Sequence, residues 1–160
     1  MKKASIFCLA VASNLLTTAP TYAYPGKTPS CAKAKYDIVK AIVGDGGWFS
    51  EASGPNKDPN NPFKGSYSIW FALTPSRGKI RGSGFTEANR RAASRFLQRS
   101  DLRAFATNLI KGCPSVSNVA FGISNSDYWV QFYKFPGGEV RPHVCLPAPG
   151  RNGWGYSYCP

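Results

Sequence analysis

Residues 116–145 read VSNVAFGISNSDYWVQFYKFPGGEVRPHVC, and this stretch decides the fold. Segments 116–123, 128–135 and 140–145 alternate in the two-residue period of a strand. Asn125-Ser126 separates the first two and Pro136-Gly137-Gly138 the last two, and both are turn sequences. The spacing predicts a three-stranded antiparallel meander. On its middle strand Tyr128, Val130 and Phe132 share one face, and Trp129, Gln131, Tyr133 and Phe135 share the other. One of these faces needs a cover.

The cover lies upstream. Thr86 caps a helical region running from Glu87 toward Gln98. Ser100-Asp101 supplies a second cap, followed by the stripe Leu102, Phe105, Ala106, Leu109 and Ile110, which ends at Gly112. Nearer the start, Ser30 caps a helix with Cys31, Lys35, Ile38 and Ile42 on one stripe, closed by Gly44. Residues 67–73, YSIWFAL, read as a buried strand with Trp70 in the core. Helices followed by adjacent strands indicate an α+β domain, with the helices packed on one side of an antiparallel sheet.

Two stretches read as irregular. Residues 44–66 form a long Gly/Asn/Pro-rich loop centred on NKDPNNP (56–62). Its oxygens do not follow the order of a calcium loop and no Glu closes it, so turn chemistry accounts for it. Residues 146–160 form an aromatic, Gly-rich tail, too rich in glycine for an ordinary strand or helix, which needs a bond at Cys159 to hold it down.

Composition fixes the setting. The chain carries 20 Lys+Arg against 8 Asp+Glu, a net charge of +12, with 16 Gly and 13 Pro in 160 residues. That excludes a collagen, a coiled coil and a multidomain enzyme, and fits one basic, turn-rich domain over residues 24–160. Lys2 and Lys3, the apolar run 6–16 and Thr21-Tyr22-Ala23 have the form of a bacterial-type secretory signal over residues 1–23. The run is too short for a stable membrane span, so a secreted or periplasmic location is expected. Cys8 leaves with the signal, and Cys31, Cys113, Cys145 and Cys159 remain, an even set that reads as two disulfides. Three connectivities are possible; a meander puts Cys113 and Cys145 at opposite ends of the sheet, which argues against that pair, and of the other two the expected one is Cys31 with Cys113 and Cys145 with Cys159. No close Cys-x₂₋₄-Cys spacing exists, and neither a metal nor a cofactor is expected.

A single histidine excludes every mechanism that needs two imidazoles, and no Gly-x-Ser-x-Gly elbow is present. The main expectation is therefore binding of an anionic polymer (polysaccharide, other envelope component or nucleic acid) without catalysis. Arg91, Arg95, Arg99 and Arg103 recur every four residues and form one ridge if the helix is continuous. Arg77, Lys79 and Arg81 alternate on an extended segment, and Trp154 and Tyr156 in the tail offer flat accessory faces, with pinning of the tail onto the domain an equal reading for Trp154. The catalytic alternative is a small metal-independent ribonuclease. Glu139, Arg141 and His143, at i, i+2 and i+4 on the third strand, would serve as base, phosphate clamp and acid. A further alternative is a structural or inhibitory module with a protein partner.

Overall fold

The computed structural model describes residues 28–74, 87–124, 126–147, 150 and 152–158. Residues 1–23, the segment bearing Arg77, Lys79 and Arg81, the cap at Thr86, and Cys159 lie outside them. Three helices, α1 (Pro29–Gly44), α2 (Glu87–Leu97) and α3 (Leu102–Gly112), accompany seven strands: β1 (Trp48–Pro55), β2 (Tyr67–Thr74), β3 (Val116–Ile123), β4 (Trp129–Lys134), β5 (Val140–Pro142), β6 (Val144–Leu146) and β7 (Tyr156–Tyr158). Strands β1 to β5 form one sheet in chain order, antiparallel throughout except for the parallel neighbours β2 and β3. The expected α+β class and the meander β3-β4-β5 are present.

Strand alternation sorts the sheet into two faces. Ile69, Phe71 and Leu73 of β2, Val119 and Phe121 of β3, and Phe132 of β4 turn toward the helices and are buried. They meet Ile38 and Ile42 of α1, Phe96 of α2, and Ala106, Leu109 and Ile110 of α3 in one core. Phe121 sits at its centre, stacked on Phe71 at 5.6 Å and edge-on to Phe96 and Phe132. The helices thus occupy one side, and the site described below lies on the other.

Helix α1 begins two residues earlier than expected. Thr28 is its cap, accepting from the Cys31 amide at 3.2 Å, while the Ser30 hydroxyl instead donates to the Gly112 carbonyl at 2.9 Å. This ties the start of α1 to the end of α3, where Cys31 and Cys113, both buried, form the first of the two expected disulfides. Helix α3 begins at the expected cap Asp101, but that carboxylate bonds Arg99 rather than a backbone amide.

The sheet corrects several other expectations. The stretch 44–66 is a loop only from 56 onward; Trp48–Pro55 is strand β1, pairing with β2 along its whole length. Its composition hides this, but an edge strand tolerates Gly54, over which the Trp70 ring lies at 3.6 Å from where a Cβ would stand. Trp70 therefore belongs to the outer face, half-buried, and not to the core. The expected third strand is divided: β5 stays in the main sheet, whereas β6 leaves it and pairs in parallel with β7. The tail accordingly contains a short strand.

Candidate functional site

The outer face of β4 and β5 is roofed by two segments. The first is the 56–66 loop, built from consecutive Asx turns: the Asn56, Asp58 and Asn61 side chains accept from the amides of Asp58, Asn60 and Phe63 at 3.1, 2.8 and 2.9 Å. Asn61 is buried and donates to the Phe63 carbonyl and to Ser66 Oγ, and Ser66 bonds Ser117 at 2.6 Å. These bonds fix the loop against β3 and place Asp58 and Asn60 at the rim of a cavity.

The second segment is the tail, and Trp154 anchors it. Its indole is buried, donates to the Lys134 carbonyl at 2.6 Å, and stands edge-on to Tyr133 at 4.8 Å. The expectation that Trp154 is a surface platform is overturned: a ring with a carbonyl partner and an aromatic wall beside it is more stable under the tail than on it. Gly155 has φ +80°, which reverses the chain after the indole, and Tyr156 lies against Gly153 so closely that any Cβ there would meet the ring at 2.0 Å. Tyr156 itself stays 41% exposed.

Between these roofs lies a cleft of about 410 Å³. Its floor is Gln131 and Tyr133, from the face of β4 that the alternation assigned away from Phe132, together with His143 from between β5 and β6. Asp58 and Asn60 form one wall, and Asn152, Tyr156 and Ser157 the other. The Tyr133 hydroxyl donates to Gln131 Oε1 at 2.6 Å, and His143 Nε2 stands 3.0 Å from Ser157 Oγ. Burial, reinforced by the negative charge of Asp58, raises the Tyr133 phenol, and burial lowers the His143 imidazole. The half-buried His143 keeps Nδ1 out of water with no hydrogen-bond partner among the described residues.

Of the three members of the ribonuclease constellation, only His143 lines the cleft. Glu139 bonds Arg141, which holds the carboxyl below the usual range, with Arg103 3.7 Å away adding to the effect. Arg141 lies over the Phe135 ring at 4.8 Å, and neither Glu139 nor Arg141 lines the cleft where His143 sits. His143 keeps the register of β5, its amide donating to the Gln131 carbonyl at 2.8 Å, so the spacing i, i+2, i+4 does leave it on the face of Glu139 and Arg141; its ring meets Ser157 while those two pair with each other.

The arginine ridge is also divided. Helix α2 ends at Leu97 and α3 starts at Leu102, leaving Arg99 in the corner between them. There it makes a two-pronged bond to Asp101 at 2.8 Å and a bond to Asp45 at 3.3 Å, which raise its already high pKa and fix it in place. Arg91 pairs with Glu87, both ends well exposed. Arg95 donates to the Asp45 carbonyl, a neutral partner, and Arg103 donates to the Val140 carbonyl. Arg91, Arg95 and Arg103 remain exposed. No sequence motif marks Asp58, Asn60, Gln131, Tyr133, Asn152 or Ser157 as site residues; the outward alternation of Gln131 and Tyr133 is the one signal that points to them.

Among the described residues no helix is long and apolar enough to cross a membrane, and no cluster of His, Cys, Asp and Glu is suited to hold a metal. No protein-family model, curated protein or solved structure matches the chain.

Proposed function

We propose that the chain is an exported, disulfide-stabilised basic domain that binds an anionic polymer through its helical layer without catalysing a reaction. The observation that carries this reading is the state of the ridge: Arg91, Arg95 and Arg103 stay exposed, and the partner of Arg95 and the closest partner of Arg103 are backbone carbonyls that leave the charge in place. The exposed pair Arg91–Glu87 is weak and yields readily to a polyanion. Arg99 is a brace for the corner rather than a contact. Tyr156 contributes to the outer face and Trp154 to its support. Export rests on the leader and on the Cys31–Cys113 bridge, and a second bridge between Cys145 and Cys159 completes the picture.

The imidazole argues for binding over ribonuclease chemistry. A general acid starts protonated, and the His143 imidazolium would bury an Nδ1–H with no acceptor among the described residues, which opposes the acid role that the alternative gives it. Retention on a single-stranded nucleic-acid or heparin column, measured against salt, tests the reading. Changing Arg91, Arg95 and Arg103 to Gln is expected to reduce the slope of log K against log salt on the single strand by about 2, from about 0.7 for each phosphate that is no longer neutralised. An unchanged slope refutes the assignment. Cleavage of single-stranded RNA that His143→Ala abolishes would establish the ribonuclease alternative instead.

A further inference from the structure

We propose that the cleft on the outer face of the sheet is a separate site for a neutral pyranose sugar unit. It goes beyond the polyanion reading, because the cleft lies on the face of the sheet turned away from the arginine-bearing helices, and either surface can fail without the other.

The charge of the cleft selects the class. Its ionisable lining groups are Asp58, Tyr133, His143 and Tyr156, with no Lys or Arg among the described lining residues. Burial keeps the imidazole and the Tyr133 phenol neutral near pH 7, so the carboxylate of Asp58 supplies the charge. A phosphate or carboxylate brought in would face that carboxylate with no cation in the described lining, the Lys64 ammonium behind this wall being bonded to the Pro59 carbonyl. A small cation is opposed by the +12 charge of the chain. A neutral polyol meets neither penalty.

The geometry then supplies what a sugar ring needs. A carboxylate accepts from two adjacent hydroxyls in charge-assisted bonds, and Asp58 is held in place for this by its own Asx turn. Gln131 Oε1 is taken by Tyr133, which leaves its NH₂ group to donate. The exposed Tyr156 ring, seated on Gly153, offers a flat apolar face for the C–H face of a pyranose. The cleft volume of about 410 Å³ lies within the range of sites for small ligands. The pre-set loop and the Trp154-anchored tail mean that little ordering is required on binding.

The test titrates the whole protein with cellobiose, maltose and N,N′-diacetylchitobiose in about 1 M NaCl, where long-range charge effects are screened. Side-chain amide shifts of Gln131 and Asn152 and the fluorescence of Trp154 report on the cleft. Saturable binding of at least one disaccharide is expected. Asp58→Asn, which keeps the Asx turn, and Tyr156→Ala are each expected to weaken it about tenfold. The Arg91, Arg95 and Arg103 to Gln variant should bind the sugar unchanged. The proposal is overturned if none of the three sugars saturates, if inorganic phosphate or glucuronate takes the cleft in preference, or if both cleft variants keep their folded circular dichroism and full affinity.

Discussion

Removing the Cys31–Cys113 bridge is expected to lower stability by an amount set by the loop it closes. The two cysteines are 82 positions apart. In the chain-entropy treatment, a closed loop of that length restricts the unfolded chain by about 15 cal/mol/K, or about 4.5 kcal/mol at 25 °C. For a domain of this size that corresponds to a fall of about 13 °C in Tm, at about 3 °C per kcal/mol. Both sulfurs are buried at the junction of α1 and α3, so replacement also leaves a small cavity. The assay is urea unfolding of Cys31→Ala, Cys113→Ala and the double variant. All three lack the cross-link, so the single variants share the large loss and the double variant differs from them only by the packing of one further sulfur. A loss below about 1 kcal/mol in all three would refute the reasoning, because the hydroxyl bonds from Thr28 and Ser30 to Gly112 would then suffice to hold the helix ends together.

The remaining predictions concern the cleft and the sheet. The folded state binds a proton at His143 less readily than the unfolded chain, whose imidazole titrates near 6.5. Stability is therefore expected to fall as pH drops below 6.5 toward the lowered value, and His143→Gln should flatten the urea midpoint across that window. An unaltered profile would exclude His143 as its source. Trp154→Ala removes a buried ring and should cost about 3 kcal/mol; limited proteolysis in the tail is expected to accelerate alongside. Gly122→Ala places a Cβ 2.3 Å from the Trp129 ring, forcing the indole off the sheet. A loss of about 1–3 kcal/mol with a shifted tryptophan emission is expected, and a neutral substitution would show that the indole moves without penalty.

What the sequence reveals here follows the range of the interactions. The stripe Leu102, Ala106, Leu109 and Ile110 is a local pattern and points into the core as expected; alternation alone leaves open which face of β4 is covered, and it is that of Val130 and Phe132, with Tyr128 at its end exposed. The meander argues against Cys113 with Cys145, and of the two connectivities left the Cys31–Cys113 pair is the one found. By contrast, strand β1 depends on β2: nothing within WFSEASGP alternates strongly, and its pairing comes from a partner strand beyond an eleven-residue connection. Trp70 and Trp154 exchange their expected places because each is decided by a distant neighbour, Gly54 for one and the Lys134 carbonyl for the other. The ridge of arginines keeps its spacing, but the break between α2 and α3 lets Asp101 take Arg99 in a two-pronged bond, to which Asp45, more than fifty positions upstream, adds a third. The cleft draws on β4, the 56–66 loop, His143 and the tail, so it belongs to the assembled topology and not to any one motif.

The parallel contact between β2 and β3 also governs how the chain reaches this state. The β1–β2 hairpin forms from neighbouring segments, but its apolar side waits for helices α2 and α3 and for the strand that follows them. Closing that long connection is slow compared with forming the local hairpins, so the central sheet assembles late. Until then Ile69, Phe71 and Leu73 present an uncovered strand to other chains, and a chaperone that shields residues 67–74 during folding should raise the yield of native protein.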